Sequence, residues 1–372
     1  MKRLLILPAA AILMLATRCT QPEAELPAPT EIISPEAFAV TPSEAVDEAR
    51  EALAAIAPAT RSGAVEVHSV VRHGAQAAAD AAEVDPSLYV VNFAADGGFA
   101  IVAADRRQSA TVYAVSDEGS FPDDPSTAAA PVRRMFTRIR SLAALNPAEK
   151  LPTIYGPWIN TSKLDPLVHV RWGTGNPYNC STTRTTAYAQ VMSYYKRPWQ
   201  YHWSEMVKHI TTCGTSAENY PPAYPAISDL FNDLDANPIH AIIQLGYTAY
   251  NAAYDYSRVK SLLDESKPVI IDAATGPLAD YTDFWIVDGY LLQERYPQVE
   301  ASSIIRYPIQ KRNLLHCNLC CDGVGNGYYL NTLLDMSEPL IPDPGTPEGG
   351  VAVTNNSMII DVIAPLEGQQ KW

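Results

Sequence analysis

No apolar run in this chain reaches the roughly 18–20 residues that a membrane-spanning helix requires. Charge is also sparse. Asp, Glu, Lys and Arg make up 18% of the 372 residues, against about 25% in ordinary globular chains. Positive charge is the scarcer sign, with 27 Lys and Arg against 41 Asp and Glu for a net −14. That balance excludes a nucleic-acid partner, because such affinity comes largely from Lys and Arg neutralising phosphates. Cysteine is too scarce and too unevenly placed for a disulfide framework. Beyond Cys19 there are five, an odd number: Cys180, Cys213, Cys317, Cys320 and Cys321, the last three within five positions. A chain of this length can be stable without such staples. What it does hold is 47% apolar residues, 30 prolines and 20 tyrosines. This is the composition of a loop-rich, aromatic-studded exported fold, long enough for two domains.

The first residues are an address. Lys2 and Arg3 precede an apolar run from Leu4 to Ala16, which fits a secretory signal and is too short to span a bilayer. Cys19 follows at once, so the expected anchor is a lipid on Cys19, holding an exported protein at an outer-membrane or cell surface. Arg18 stands where a small residue is usual, and ordinary cleavage with secretion is the alternative. Residues 1–19 are thus the signal and lipoprotein segment. The Pro- and Glu-rich residues 20–37 form a tether.

Two grammars follow. Thr41 as N-cap, Pro42 at the first helical position and Glu44 three residues on compose a capping box. Val46, Ala49, Leu53 and Ile56 recur at helical spacing until Pro58. Tyr89, Val91 and Phe93 alternate as a strand, Asp96-Gly97-Gly98 is turn chemistry, and 99–103 and 111–115 read as further strands. A basic amphipathic helix carries Val132, Phe136, Ile139 and Leu142 on one face, with Arg133, Arg134, Arg138 and Arg140 elsewhere, and Asn146-Pro147 closes it. The expected division is a small α+β domain at 38–125, a connecting helix and linker at 126–159, and a second domain at 160–372. In that second domain, residues 181–195 read as a helix with Ser and Thr in its first turn. Short strands at 269–271, 284–287 and 328–330 complete an α+β layout.

Several motifs admit a bland reading. Arg72-His73-Gly74 matches the core of a histidine phosphatase motif, but no further Arg and Pro follow where that chemistry needs them. A strand edge leading into a turn is expected instead. His316, Cys317, Cys320 and Cys321 offer soft ligands for a metal or a reactive dithiol. Adjacent Cys320 and Cys321 cannot easily share one ion, so no metal and no cofactor are expected. Tyr247, Tyr250, Tyr254 and Tyr256 are read as packing aromatics before a binding groove, and His169, His202, His209 and His240 as structural.

Ordered segments of the second half resemble the streptopain family of bacterial cysteine peptidases. RWGTGNPYN (171–179) is similar to the family's Trp-containing segment, STTRTTAYAQVMSYYKRP (181–198) to its central helix, and TDFWIVDGY (282–290) to the strand that presents the catalytic His. HCNLCCDGVGNGYYL (316–330) resembles the segment that orients that His, and SMIIDVIAP (357–365) the carboxy-terminal strand. LYVVNFAADGGFAIVAADRR and VYAVSDEGSF resemble the inhibitory prodomain that precedes these peptidases. The resemblance implies a papain-like fold behind a prodomain. It also implies Thr183 where the family has its Cys, Asp283 where it has its His, and Thr174 where it has its oxyanion Gln. The orienting Asn is kept as Asn318, but Leu319, Cys320, Cys321 and Asp322 replace the Trp and Gly residues that follow it.

Those replacements change the chemistry. A thiol at a helix amino terminus beside an imidazolium is held as thiolate, its pKa falling from about 8.5 to roughly 3–4. A threonine hydroxyl has no such anion near neutrality, and a carboxylate with a reference pKa of about 3.9 accepts protons poorly. Cys180 does not rescue the site, because a nearby carboxylate raises a thiol's pKa. Loss of a nucleophile or base costs on the order of 10⁶ in kcat, about 8 kcal/mol. The expectation is a non-catalytic peptidase homologue whose cleft binds a peptide or protein segment and which keeps its own prodomain. The alternatives are a prodomain-type inhibitor acting in trans and an endopeptidase with a remodelled site.

Overall fold

The capping box at Thr41 forms as its spacing predicts. Glu44 Oε2 accepts from the Thr41 N–H at 2.8 Å, and Thr41 Oγ1 accepts from the Glu44 N–H at 3.3 Å. The helix it starts, α1 (Pro42–Ile56), buries Ala45, Ala49, Ala52, Leu53 and Ile56. The apolar stripe is therefore rotated slightly from the predicted one, and Val46 lies at its margin. The structure, a computed structural model, describes residues 38–56, 65–74, 87–108, 110–144, 155–173, 183–208, 210, 224–235, 238–275, 281–298, 308–334 and 358–366. Cys19, Thr174, Cys180, Cys213 and His209 lie outside them. All described residues belong to one unit that begins at Pro35. No helix among them is long and apolar enough to cross a membrane.

Strands β1 (Val67–His73), β2 (Leu88–Phe93), β3 (Phe99–Ala103) and β4 (Val112–Ser116) pair antiparallel in chain order. Every position of β2, β3 and β4 is buried, so the alternation of Tyr89, Val91 and Phe93 marks only one of two covered faces. Buried Asn92 turns the other face to account. Its amide donates to Phe121 O and accepts from Phe121 N–H, both at 2.8 Å, fixing the chain after β4. β1 ends at a bend on Gly74, whose φ is +124°, and the His73 ring packs edge-on against Phe136 at 5.2 Å. The second helix, α2 (Ala130–Ala144), buries Val132, Phe136 and Ile139 as predicted. It also buries Arg138, whose guanidinium lies 5.6 Å from the Trp285 ring centre. The sequence assigned Arg138 to the polar side. The aromatic platform lets this side chain be covered.

The remaining elements are β5 (Ile159–Leu164), α3 (Thr183–Tyr195), α4 (Trp203–Met206), α5 (Tyr224–Asp235), α6 (Pro238–Gln244), β6 (Tyr247–Ala253) and α7 (Tyr256–Asp264). They are followed by β7 (Val269–Thr275), β8 (Tyr281–Arg295), β9 (Gln310–Asn318), β10 (Gly327–Leu330) and β11 (Met358–Pro365). All described strands join one antiparallel sheet, in the order β1-β2-β3-β4-β10-β9-β8-β7-β11-β6 with β5 off this path beside β8. The long strand β8 pairs along one edge first with β7 and then with β5, and along the other with β9. The fold is α+β, as the sequence implied. Two cores flank the sheet. Ile270, Phe284 and Ile286 enter one beneath α3, while Val269, Ile271, Trp285 and Val287 enter the other, which runs on without a break into α1 and β2–β4. This is the period-two alternation of a strand buried on both faces.

Candidate functional site

Helix α3 is buried on nearly every side from Thr185 to Ser193, as a helix wedged between a sheet and other helices must be. Its first residue is Thr183, whose Oγ1 accepts the backbone N–H of Phe284 at 3.3 Å. Position 183 therefore meets β8 one residue from Asp283, which lies opposite Ala273 in the ladder. Arg184 strengthens this junction, its guanidinium resting 5.2 Å from the Phe284 ring and 5.8 Å from Tyr188. The structure thus brings together two of the four predicted site positions.

Asn318 ends β9, opposite Ile286 of β8. It is buried, and its amide nitrogen donates to Gln190 Oε1 at 2.7 Å and to Val170 O at 3.1 Å. Its Oδ1 accepts from the Cys320 N–H at 3.1 Å. Gln190 in turn donates to Trp172 O at 2.8 Å. This network joins α3, the Trp172 segment and the turn after β9. Both amide protons of Asn318 are spent inside the fold, so it acts on the turn and on Gln190.

That turn carries strain. Cys320 (φ +58°) and Asp322 (φ +54°) adopt the left-handed conformation that glycine takes at no steric cost, as do Gly323 and Gly325 nearby. These are two positions at which the resemblance drawn from the sequence implies glycine. Asp322 also packs on Gly173, where an added Cβ would stand 2.7 Å from the Asp322 backbone nitrogen. The absence of a side chain at 173 is what lets the turn approach the Trp172 segment.

The cysteines do not form one site. Cys317 and Cys321 face the core shared with α1, and Cys320 faces the core beneath α3. All three are buried, and burial pushes the Cys317 and Cys320 thiols well up from the ordinary range. Among the described residues, no group of three or more His, Cys, Asp or Glu side chains is placed to hold a metal. Of the tyrosines, Tyr247 is buried beneath α3 and Tyr250 is exposed on the same strand, whereas Tyr254 and Tyr256 pack on the other core. They line no common groove. His169, His202 and His240 are exposed.

One pair escaped the sequence reading. His316 Nδ1 lies 2.6 Å from Asp288 Oδ1, and Asp288 is wholly buried. The register shifts between Val287 and Gly289, so Asp288 sits in a bulge that re-aims its side chain. Its Oδ2 accepts from the Val168 N–H at 2.9 Å and its carbonyl accepts from Leu167 N–H at 3.0 Å. The bulge thereby holds the segment that leads from β5 to Trp172. The legible signal was Gly289 within a strand, a mark of close backbone approach. A Cβ there would meet Leu164 O at 2.8 Å.

With this geometry in view, comparison with family models matches residues 37–141 to the Spi protease inhibitor family. The matched stretch covers α1, β1–β4 and most of α2. The amino-terminal part of the chain is thus similar to a protease-inhibitor-like prodomain, which is compatible with a streptopain-type peptidase relative. Comparison with curated proteins returned no match.

Proposed function

We propose that the chain is an exported homologue of streptopain-like peptidases, with a papain-like second half, that retains its prodomain and binds a peptide or protein segment without cutting it. The observation that carries this reading is the hydrogen bond from Phe284 N–H to Thr183 Oγ1, which sets position 183 beside position 283. On this reading these are the two positions of a papain-type pair, held here by a threonine and an aspartate. A hydroxyl so placed needs a strong base to become a nucleophile, and a carboxylate is a poor one. The left-handed backbone at Cys320 and Asp322 supports the same history, because a turn shaped for glycine now carries side chains. On this reading Cys19 anchors the chain to a membrane surface by a lipid.

Incubation of the purified full-length chain with a peptidyl vinyl sulfone, read by intact mass, tests the reading. Unlabelled protein and an uncut fluorogenic peptide are expected. A covalent adduct on Thr183 or Cys180, or turnover, would establish the remodelled endopeptidase instead. The match of residues 37–141 to an inhibitor family favours a second role, inhibition of a related active peptidase in trans. Titration of the full chain into such an enzyme measures it directly.

A further inference from the structure

Arg184 follows position 183 in the chain, and the ring it rests over, Phe284, follows position 283. Its guanidinium lies 5.2 Å from the Phe284 ring centre and 5.8 Å from that of Tyr188. Both rings belong to residues buried beneath α3, so they hold the cation in a fixed place. Aromatic rings attract a cation but do not replace an oxygen acceptor. A guanidinium carries five N–H donors and no acceptor, and a buried donor left unmet costs stability. The Nε of Arg184 is shielded from solvent and meets no acceptor among the described residues. The side chain forms no ion pair with a described carboxylate either. By contrast, Arg171 reaches Glu118, Arg295 reaches Gln310 and Arg312 reaches Gln293. Arg184 is only half-buried, so a ligand can approach it.

Resting on the peptide-binding reading of the same cleft, we infer that it takes segments bearing a carboxylate, and that Arg184 is the residue that reads it. Two carboxylate oxygens match the guanidinium fork and satisfy its donors in pairs. A carboxylate is also the anion a peptide carries, on an acidic side chain or at its end. The chain's net charge of −14 does not forbid this choice. Exposed charges are screened beyond about 8 Å at physiological ionic strength, so the fixed cation at position 184 governs its own surroundings.

The test uses short peptide pools randomised among uncharged residues, with a neutral dye at the amino end. One pool carries a single Glu and an amidated end, a second has Gln in place of that Glu, and a third has Gln with a free carboxyl end. Fluorescence anisotropy with the full-length chain is expected to show the first or the third pool bound at least about tenfold tighter than the second. Tight binding of the first assigns Arg184 a side-chain carboxylate, and of the third a chain end. Arg184→Gln is expected to level the pools. Arg184→Lys, which keeps the charge without the fork, is expected to keep only part of the difference. Circular dichroism checks that the variants fold, and where Arg184→Gln does not, Arg184→Lys and the ranking by the parent decide. Equal binding of all pools by the parent, or a preference that survives in folded Arg184→Gln, would overturn the inference and leave a peptide cleft standing. Binding of no pool would instead remove the peptide-binding reading, and the inference with it.

Discussion

His316 and Asp288 lie 28 residues apart in sequence and 2.6 Å apart in the fold, joined by the register of β8 and β9 and by the bulge between Val287 and Gly289. Asp288 spends its second oxygen on the Val168 N–H and its carbonyl on Leu167. It thus connects β9 to the strand–loop that delivers Trp172. Replacing one member of a buried, hydrogen-bonded pair leaves the other polar group stranded. Asp288→Ala is expected to lower unfolding stability by about 3 kcal/mol, measured by urea denaturation, and to do so even though the residue lies apart from the Thr183 junction. A loss below about 1 kcal/mol would mean that solvent or a neighbour replaces both bonds.

The strained turn gives a cleaner comparison. Asp322→Gly and Asp322→Ala both remove the carboxylate, so their difference reports the backbone alone. A left-handed residue bearing a Cβ costs roughly 1–2 kcal/mol relative to glycine. At φ +54° the glycine variant is expected to be the more stable by about 1 kcal/mol. The same ordering is expected at Cys320, where φ is +58°. Equal stabilities would remove the claim that this turn was shaped for glycine.

Glu48 sets a pH dependence of definite sign. Burial lifts its carboxyl above the usual carboxylate range, and the neighbouring Glu51 adds to the lift, while Arg295, Arg312 and Arg106 oppose it. Burial also brings the Arg312 guanidinium down to about 10. A carboxyl raised in the folded state holds its proton more tightly there than in the unfolded chain. Its contribution therefore favours folding below the unfolded value of 4.5 and is lost as pH rises through the folded pKa. Glu48→Gln is expected to be more stable than the parent at pH 7, with the difference closing near pH 4. Stability curves across that window decide it, and a parent that outlasts the variant at pH 7 would show the arginines winning over burial.

The three thiols of the β9 turn supply a chemical check. Cys317, Cys320 and Cys321 are buried, and the first two are kept protonated by that burial. Thiolate, not thiol, reacts with alkylating agents. Iodoacetamide at pH 8 is expected to leave all three unmodified in the folded protein and to label them in urea, as read by peptide mass spectrometry. Native labelling at Cys317 or Cys320 would revive a reactive dithiol.

How much of this was legible depended on range. The α1 cap could be read because Thr41 and Glu44 are three residues apart and satisfy each other. Strands β2 to β4 could be read because their apolar runs are bounded by turns. β5 could not, since Ile159–Leu164 is mostly exposed and is a strand only because β8 lies beside it. β9 hid for a similar reason, as its polar residues Lys311, Arg312, Asn313 and His316 mask the strand pattern. At the site, the sequence could align Thr183 with Asp283 only through resemblance. The Phe284 N–H bond adds the contact, and the engagement of Asn318 with Gln190 was not readable from spacing at all.

That juxtaposition makes the most direct engineering experiment. Thr183→Cys, Asp283→His and Thr174→Gln together would return a thiol, an imidazole and an amide to the positions the family pattern assigns them. A thiol at the start of α3 gains from the helix amino terminus but, without the imidazole, lacks both its proton acceptor and its general acid. Thr183→Cys alone is therefore expected to yield a thiol that alkylates without turning over substrate. The triple variant is expected to cleave a fluorogenic peptide above the parent by several powers of ten, with an upper bound of about 10⁶. The gain must exceed the sum of the single changes, because groups that act as one unit are not additive. If the triple variant folds, as judged by circular dichroism, and cleaves nothing, then residue 283 does not face residue 183 across a working cleft, and the papain-like assignment of the second half falls with it.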